Sequence, residues 1–279
     1  MKLSIITINY NNAAGLKKTL DSVAEQTWCE FEHIIIDGGS TDKSVDVIQT
    51  YADLYAEKYP IRWISERDRG IYDAMNKGIK MAIGEYCLFM NGGDVINDSQ
   101  SLYDIFRIGL SADIVCADSL FEESNIHKAK YIKSPDTIVA SHLILSYLPH
   151  QSSFIKKELF ENIHLYDTNF RIVSDWLFFI EAILVYQVSY QKINLLFSRC
   201  ETEGLSNNPE NCSLMNEEFL RGMRKVLPMF LDDYVELREL RRTMQDPKFL
   251  FFRRYRNNLC FRIIWKLYKL KNHIKNKHV

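Results

Sequence analysis

The sequence predicts an α/β fold with a mainly parallel sheet, on three observations. Short β-rich runs alternate with segments whose apolar residues recur at helical spacing. Each run closes on a polar or glycine-rich turn. The stretches between runs are long enough for the crossover helices that parallel strands require.

The elements follow in order. Residues 3–8 make the first strand, and Asn9-Tyr10-Asn11-Asn12 its turn. Over 13–26, Leu16, Leu20 and Val23 mark one helix face. Residues 31–36 form a second strand, closed by Asp37-Gly38-Gly39-Ser40-Thr41-Asp42. Ser40 or Thr41 is placed to cap a helix over the stretch that follows. Residues 61–65 read as a third strand, 68–83 as a helix, and 86–90 as a fourth, wholly apolar strand that runs into Asn91-Gly92-Gly93-Asp94.

Beyond Asp94 the signals mix. Helices are expected over 99–109, 156–161 and 174–186, strands over 113–118, 128–133 and 151–155, and a strand pair near 188–198. Antiparallel strands should therefore join the sheet. Residues 211–245 are rich in Glu, Leu, Arg and Met and read as helical, as does a basic tail over 249–275. The expected division is a body over 1–205, in halves 1–97 and 98–205, and a helical extension over 206–279.

Apolar residues make up 47% and charged residues 25%, which describes a soluble chain with enough core to need no disulfide or structural metal. The six cysteines are scattered, without C-x-x-C or zinc-ligand spacing, and point to a reducing compartment. The first apolar run is too short for a secretory leader, and no stretch reaches the roughly 18 to 20 apolar residues of a membrane span. Net charge is −1, yet the residues from Arg253 onward carry nine Lys/Arg and no Asp/Glu, so the remainder sums to −10 (−1 minus +9). Such asymmetry suggests an anionic partner for the tail.

In an open α/β sheet, ligands bind beyond the carboxyl ends of the strands. Those ends offer Thr7, Asn9 and Tyr10 from the first, Asp37 from the second, Asp68 from the third, and Asn91 and Asp94 from the fourth. Asp37 and Asp68 are suited to accept hydrogen bonds from a base or ribose, and the glycines at 38, 39, 92 and 93 admit a ligand close to the backbone. Each Asp taken singly is an ordinary turn residue; their recurrence after successive strands is the signal. No P-loop and no G-x-G-x-x-G follows the first strand, which argues against P-loop and dinucleotide enzymes.

Four blocks then resemble a known family. They are Ile-Thr-Ile-Asn-Tyr-Asn (6–11), Ile-Ile-Ile-Asp-Gly-Gly-Ser-Thr-Asp (34–42), Ser-Glu-Arg-Asp-Arg-Gly-Ile-Tyr-Asp-Ala-Met-Asn-Lys-Gly (65–78) and Gly-Glu-Tyr-Cys-Leu-Phe-Met-Asn-Gly-Gly-Asp (84–94). In order and spacing they are similar to family 2 glycosyltransferases of the GT-A fold. The resemblance implies a nucleotide-sugar donor, a divalent metal (Mg²⁺ or Mn²⁺) and inversion at the anomeric carbon. It implies a donor site drawn from Thr7, Asn9, Tyr10, Asp37, Asp68, Asn76, Asn91 and His150, with the metal on Asp94. The family's Asp-x-Asp motif is thinned here to Asn91-Gly92-Gly93-Asp94, leaving one carboxylate. Mg²⁺ tolerates this, since it keeps waters and takes ligands from substrate phosphates.

Asp175 opens a strongly apolar helix within Phe170-Arg171-Ile172-Val173-Ser174-Asp175-Trp176. From the residues alone, Ser174 or Asp175 is a helix cap; the resemblance implies that Asp175 is the catalytic base. Leu148-Pro149-His150-Gln151 also resembles the family, so His150 is either a contact to the donor diphosphate or acceptor, or a structural residue. Glu203-Gly204-Leu205-Ser206 resembles a loop that closes over the donor. In the tail, Cys260, Ile263, Ile264, Leu267, Leu270 and Ile274 share one helical face, with Trp265 and Tyr268 beside basic residues. That pattern suits an anionic membrane surface, with a docked helix or a dimer contact as alternatives. No nucleic-acid motif accompanies the charge.

The expected protein is an inverting, metal-dependent glycosyltransferase that moves a sugar, from a UDP-sugar, to a polysaccharide or lipid-linked acceptor. It is expected in the cytoplasm, peripheral on the inner face of the cell membrane, in an open oligomeric state. Two other classes stay open. A sugar nucleotidyltransferase would carry a Gly-rich basic loop where Asn9-Tyr10-Asn11-Asn12 stands. A non-catalytic membrane-associated subunit of a glycan assembly complex would fit the thinned motif and the tail.

Overall fold

The computed structural model describes residues 1–123, 128–201, 204, 208–255, 258, 263 and 266. Its first half alternates β1 (Leu3–Asn9), α1 (Ala13–Ala24), β2 (Phe31–Asp37), α2 (Ser44–Tyr55), β3 (Ile61–Ser65), α3 (Ile71–Met81) and β4 (Tyr86–Asn91). β1, β2 and β4 are buried strands closed by short polar turns, as in a sheet covered on both faces. The pairs β1–β2, β1–β4 and β2–β3 are all parallel. The four carboxyl ends therefore lie side by side along one sheet edge, and the turns that follow converge there.

The second half adds β5 (Val95–Ile96), α4 (Ser101–Ile108), β6 (Ile114–Glu123), β7 (Lys128–Ile132), α5 (Ala140–Leu145), β8 (Ser153–Lys156), α6 (Lys157–Asn162), α7 (Ser174–Ile180), β9 (Tyr190–Glu201) and α8 (Cys212–Val226). The strand order is β3-β2-β1-β4-β8-β6-β9-β5, with β7 beside β6. β8 runs antiparallel to both β4 and β6, whereas β6 and β9 are parallel, so the antiparallel strands expected after Asp94 are present.

Three elements differ from the sequence reading. The strand pair near 188–198 is one twelve-residue strand, β9; no turn residue interrupts it, and it serves β6 along its length and β5 near its end. The helix over 174–186 is α for one half and widens to a π-turn over Glu181–Val185. No Ser or Thr side chain caps α2; the Asp42 carboxylate takes the Ser44 N–H instead, at 2.9 Å.

The chain forms two compact units, Met1–Pro228 and Met229–Val279. The first extends past the expected boundary at 205, because α8 packs on α7. Phe219 meets Trp176 edge-on at 4.7 Å, and a Cβ at Gly222 would lie 3.1 Å from the Leu177 side chain, so glycine lets the two helices close up. The second unit holds α9 (Leu231–Gln245) and α10 (Pro247–Tyr255). Most of the basic tail, including Cys260, Trp265 and Tyr268, lies outside the described residues, as do Glu203, Leu205 and Ser206.

Candidate active site

A cavity of about 630 Å³ opens at the carboxyl ends of the parallel strands, within the first unit. One wall comes from the turns after β1, β3 and β4, with Asn9, Tyr10, Asp68, Asn91 and Asp94. The opposite wall comes from α3 and the segments before β8 and α7, with Tyr72, His150, Arg171 and Asp175.

The strand-end turns are held by near neighbours in the chain. Asp68 Oδ1 accepts from the Gly70 N–H at 2.9 Å, while its other oxygen would stand 2.5 Å from a Cβ at Gly38, so that position must be glycine for the carboxylate to reach this place. After β4, the Asp94 N–H donates to the Asn91 carbonyl (2.9 Å) and the Asn91 N–H donates to Asp94 Oδ2 (3.1 Å). This turn places Gly93 at φ 115°, in the left-handed region. α1 anchors it: Thr19 Oγ1 takes the Gly93 N–H at 2.9 Å.

Thr7, Asp37 and Asn76 do not line the cavity. Thr7 is fully buried, its hydroxyl 2.9 Å from Nε2 of His33, whose imidazole burial pushes down to about 3. Asp37 is also fully buried and accepts from Asn9 Nδ2, the Ser40 N–H, Ser40 Oγ and Ser65 Oγ. Those four bonds fill its acceptor capacity. It braces Asn9. Burial alone would raise its carboxyl, but these hydrogen bonds hold it below the usual range. Asn76 spends both ends of its amide on the Tyr166 backbone, at 2.8 and 3.0 Å.

The opposite wall centres on Asp175, in the first turn of α7. His150 Nδ1 lies 2.9 Å from Oδ2, and the Tyr72 hydroxyl 2.7 Å from Oδ1. Burial would raise this carboxyl; the hydrogen bond and charge of His150, with the Tyr72 hydroxyl, outweigh it and hold it below the usual carboxylate value. His150 responds in the opposite sense, raised by Asp175 against the effect of burial. The Tyr72 hydroxyl also lies 2.7 Å from the Ile172 carbonyl. Its single hydrogen can serve either acceptor. His150 Nε2, finally, is 3.2 Å from the Asn91 amide nitrogen, which links the two walls.

Among the described residues, no group of three or more His, Cys, Asp or Glu stands close enough to hold a metal. What faces the cavity after β4 is one carboxylate, Asp94, raised to about 6 by burial, and the Asn91 Oδ1, buried without a hydrogen-bond partner. A carboxyl desolvated in this way gains from a nearby cation. The pair fits a hard divalent ion that draws its other ligands from donor phosphates and water. The sequence reading did not single out Tyr72, Glu201, Arg171 or Asn12, all of which line the cavity. Glu201, at the end of β9, pairs with Lys18 of α1 at 2.6 Å beside the β4 turn.

The arrangement of sheet and flanking helices resembles that of the GT-A glycosyltransferases. The family described as "Glycosyl transferase family 2" matches residues 4–175, and the chain belongs to it. A "PGL/p-HBAD biosynthesis glycosyltransferase" of Mycobacterium bovis is 30% identical over 230 residues, spanning 81% of this chain and 84% of that one. The uncharacterized glycosyltransferase YibD of Escherichia coli is 38% identical over 96 residues, or 34% of this chain and 27% of that one. Among solved structures, S. aureus TarS 1–349 in complex with UDP superposes with a TM-score of 0.63 at 18% identity, covering 90% of this chain and 74% of that one. The mannosyltransferase PcManGT of Pyrobaculum calidifontis, in complex with GDP-Man and Mn²⁺, gives 0.61 at 15% identity, covering 86% and 69%.

Proposed function

We propose that this chain is an inverting glycosyltransferase that takes its sugar from a nucleotide-sugar, a UDP-sugar by preference, and passes it to a hydroxyl of a glycan or lipid-linked acceptor. The observation that carries the reading is a carboxylate, Asp175, hydrogen-bonded to His150 and Tyr72 on one wall of a cavity whose other wall is made by the strand-end turns. Family membership and the UDP-bound neighbour support the donor class.

In this reading Asn9, Tyr10 and Asp68 contact the nucleoside, with Asp37 bracing Asn9. Asp94 and Asn91 would hold a divalent ion, which when bound would offset charge on the leaving diphosphate. Asp175 takes the proton from the acceptor hydroxyl, whose oxygen attacks the anomeric carbon as the bond to the diphosphate oxygen breaks. The proton's arrival is accommodated locally. The new carboxylic O–H donates to the Tyr72 oxygen, and the tyrosine hydrogen turns to the Ile172 carbonyl. Both protonation states of Asp175 thus keep their hydrogen bonds.

Incubation with a panel of UDP- and GDP-sugars tests the reading. Hydrolysis of one donor that depends on Mg²⁺ or Mn²⁺ and releases the inverted anomer supports it. Silence across the panel, with no donor binding by calorimetry, would sink it and favour a non-catalytic subunit.

The basic tail is proposed to rest on an anionic membrane surface, on the sequence pattern alone; no helix among the described residues is long and apolar enough to cross a membrane. Truncation after Leu250 should release the protein from anionic vesicles while leaving it folded. A truncated protein that stays bound, or that no longer folds, contradicts the proposal.

A further inference from the structure

The backbone that leads into α7 carries an unusual tie. Glu218, in the middle of α8, is a carboxylate only 1% exposed. Its two oxygens accept from adjacent backbone groups, the Arg171 N–H at 2.7 Å and the Ile172 N–H at 2.9 Å. Its cationic neighbour, Arg221, stands 3.7 Å away and is itself half spent on the Phe170 ring, 4.4 Å from its centroid, and on the Asn169 carbonyl. Burying a carboxylate against two neutral donors costs free energy that an apolar side chain at this position would not. Glu218 itself lies outside the stretch matched by the family, which ends at residue 175.

What it fixes is specific. Arg171 and Ile172 precede α7, whose first residue is Ser174 and which has no side-chain cap. Their N–H groups therefore belong to no helix ladder, and Glu218 supplies their acceptors from another element. The carbonyl of Ile172 is the second acceptor for the Tyr72 hydroxyl, and Tyr72 in turn holds Asp175 Oδ1. The Gly222 contact with Leu177 and the Phe219–Trp176 pair keep α8 against the same helix.

We propose that Glu218 is a positioning residue for the base: its carboxylate fixes the 171–172 backbone so that the Ile172 carbonyl, the Tyr72 hydroxyl and Asp175 stay in line. The proposal rests on Asp175 as base, and it makes α8 part of the working site. Glu218 touches no substrate; it sets where the reacting carboxylate sits.

The test compares Glu218→Gln, Asp175→Asn and the double variant, using hydrolysis of UDP-glucose, UDP-galactose or UDP-N-acetylglucosamine, whichever the native protein turns over. Glutamine keeps one acceptor but turns an NH₂ group toward the second backbone N–H. Glu218→Gln should lower kcat by roughly 10- to 100-fold, the cost of a small misplacement of a catalytic group, with the donor KM within about twofold. In the Asp175→Asn background it should add nothing. Glu218→Asp, which keeps charge and both oxygens on a shorter arm, should fall between, and it carries the test if the Gln protein does not fold. Glu217→Gln, exposed one residue away, should match the native protein. The proposal is overturned if kcat is unchanged in a Glu218 variant, if KM rises in step with the fall in kcat, or if the loss persists in full without Asp175. An Asp175→Asn protein as fast as the native one would overturn instead the reading of the base itself.

Discussion

The two walls of the cavity are built in different ways. On the strand-end side, Asp68 and Asp94 are each held by a residue two or three positions away, Gly70 and Asn91. On the other side, Asp175 is held by Tyr72, 103 positions earlier, and the backbone before it by Glu218, 46 or 47 positions later. A wall built from local turns has its geometry fixed by turn chemistry as soon as the strands form. A wall assembled from distant elements depends on how those elements pack, so small changes in packing should appear there as changes in rate.

The contrast predicts two opposite signatures. Tyr72→Phe, which removes the hydroxyl between Asp175 and Ile172, should reduce kcat by about 10-fold or more, within the usual range for proton transfer by a positioned group, and should barely alter donor KM. Steady-state kinetics on the hydrolysed donor reads this. Gly93→Ala should do the reverse. The new side chain is forced into φ 115° with its Cβ 3.3 Å from Glu201 Oε2, which should cost about 1–3 kcal/mol of stability by urea unfolding. Its effect on kcat should be the smaller of the two. If Tyr72→Phe cost stability and left the rate alone, the division between the walls would fail.

The same division governs what could be read in the sequence. Asp68, Asp94 and the Gly-Gly turns were legible because strand, turn and carboxylate are contiguous. Asp175 was legible as the polar start of an apolar helix. Tyr72 was not, since an aromatic inside α3 reads as core, and it is indeed only 4% exposed. Glu218 was hidden for the opposite reason: on a helix rich in Glu, Arg and Leu, one more glutamate reads as solvated surface. β5 is two residues long, too short to carry a period. The boundary at 205 followed a change in composition, but Trp176, Leu177 and Phe219 decide that α8 belongs with the body. Thr7 and Asp37 were placed at the site as strand-end groups and by the resemblance, Asn76 by the resemblance alone. The structure buries all three: Asp37 braces Asn9, which lines the cavity, while Thr7 meets His33 and Asn76 the Tyr166 backbone.

The central claim is that a donor bound by one wall meets a base carried by the other. Asp175→Asn tests it most directly, with UDP binding followed by calorimetry and sugar release or transfer followed in parallel. The account predicts UDP affinity close to that of the native protein and a rate lower by at least ~100-fold. Native turnover in Asp175→Asn would contradict it and remove Asp175 from the mechanism.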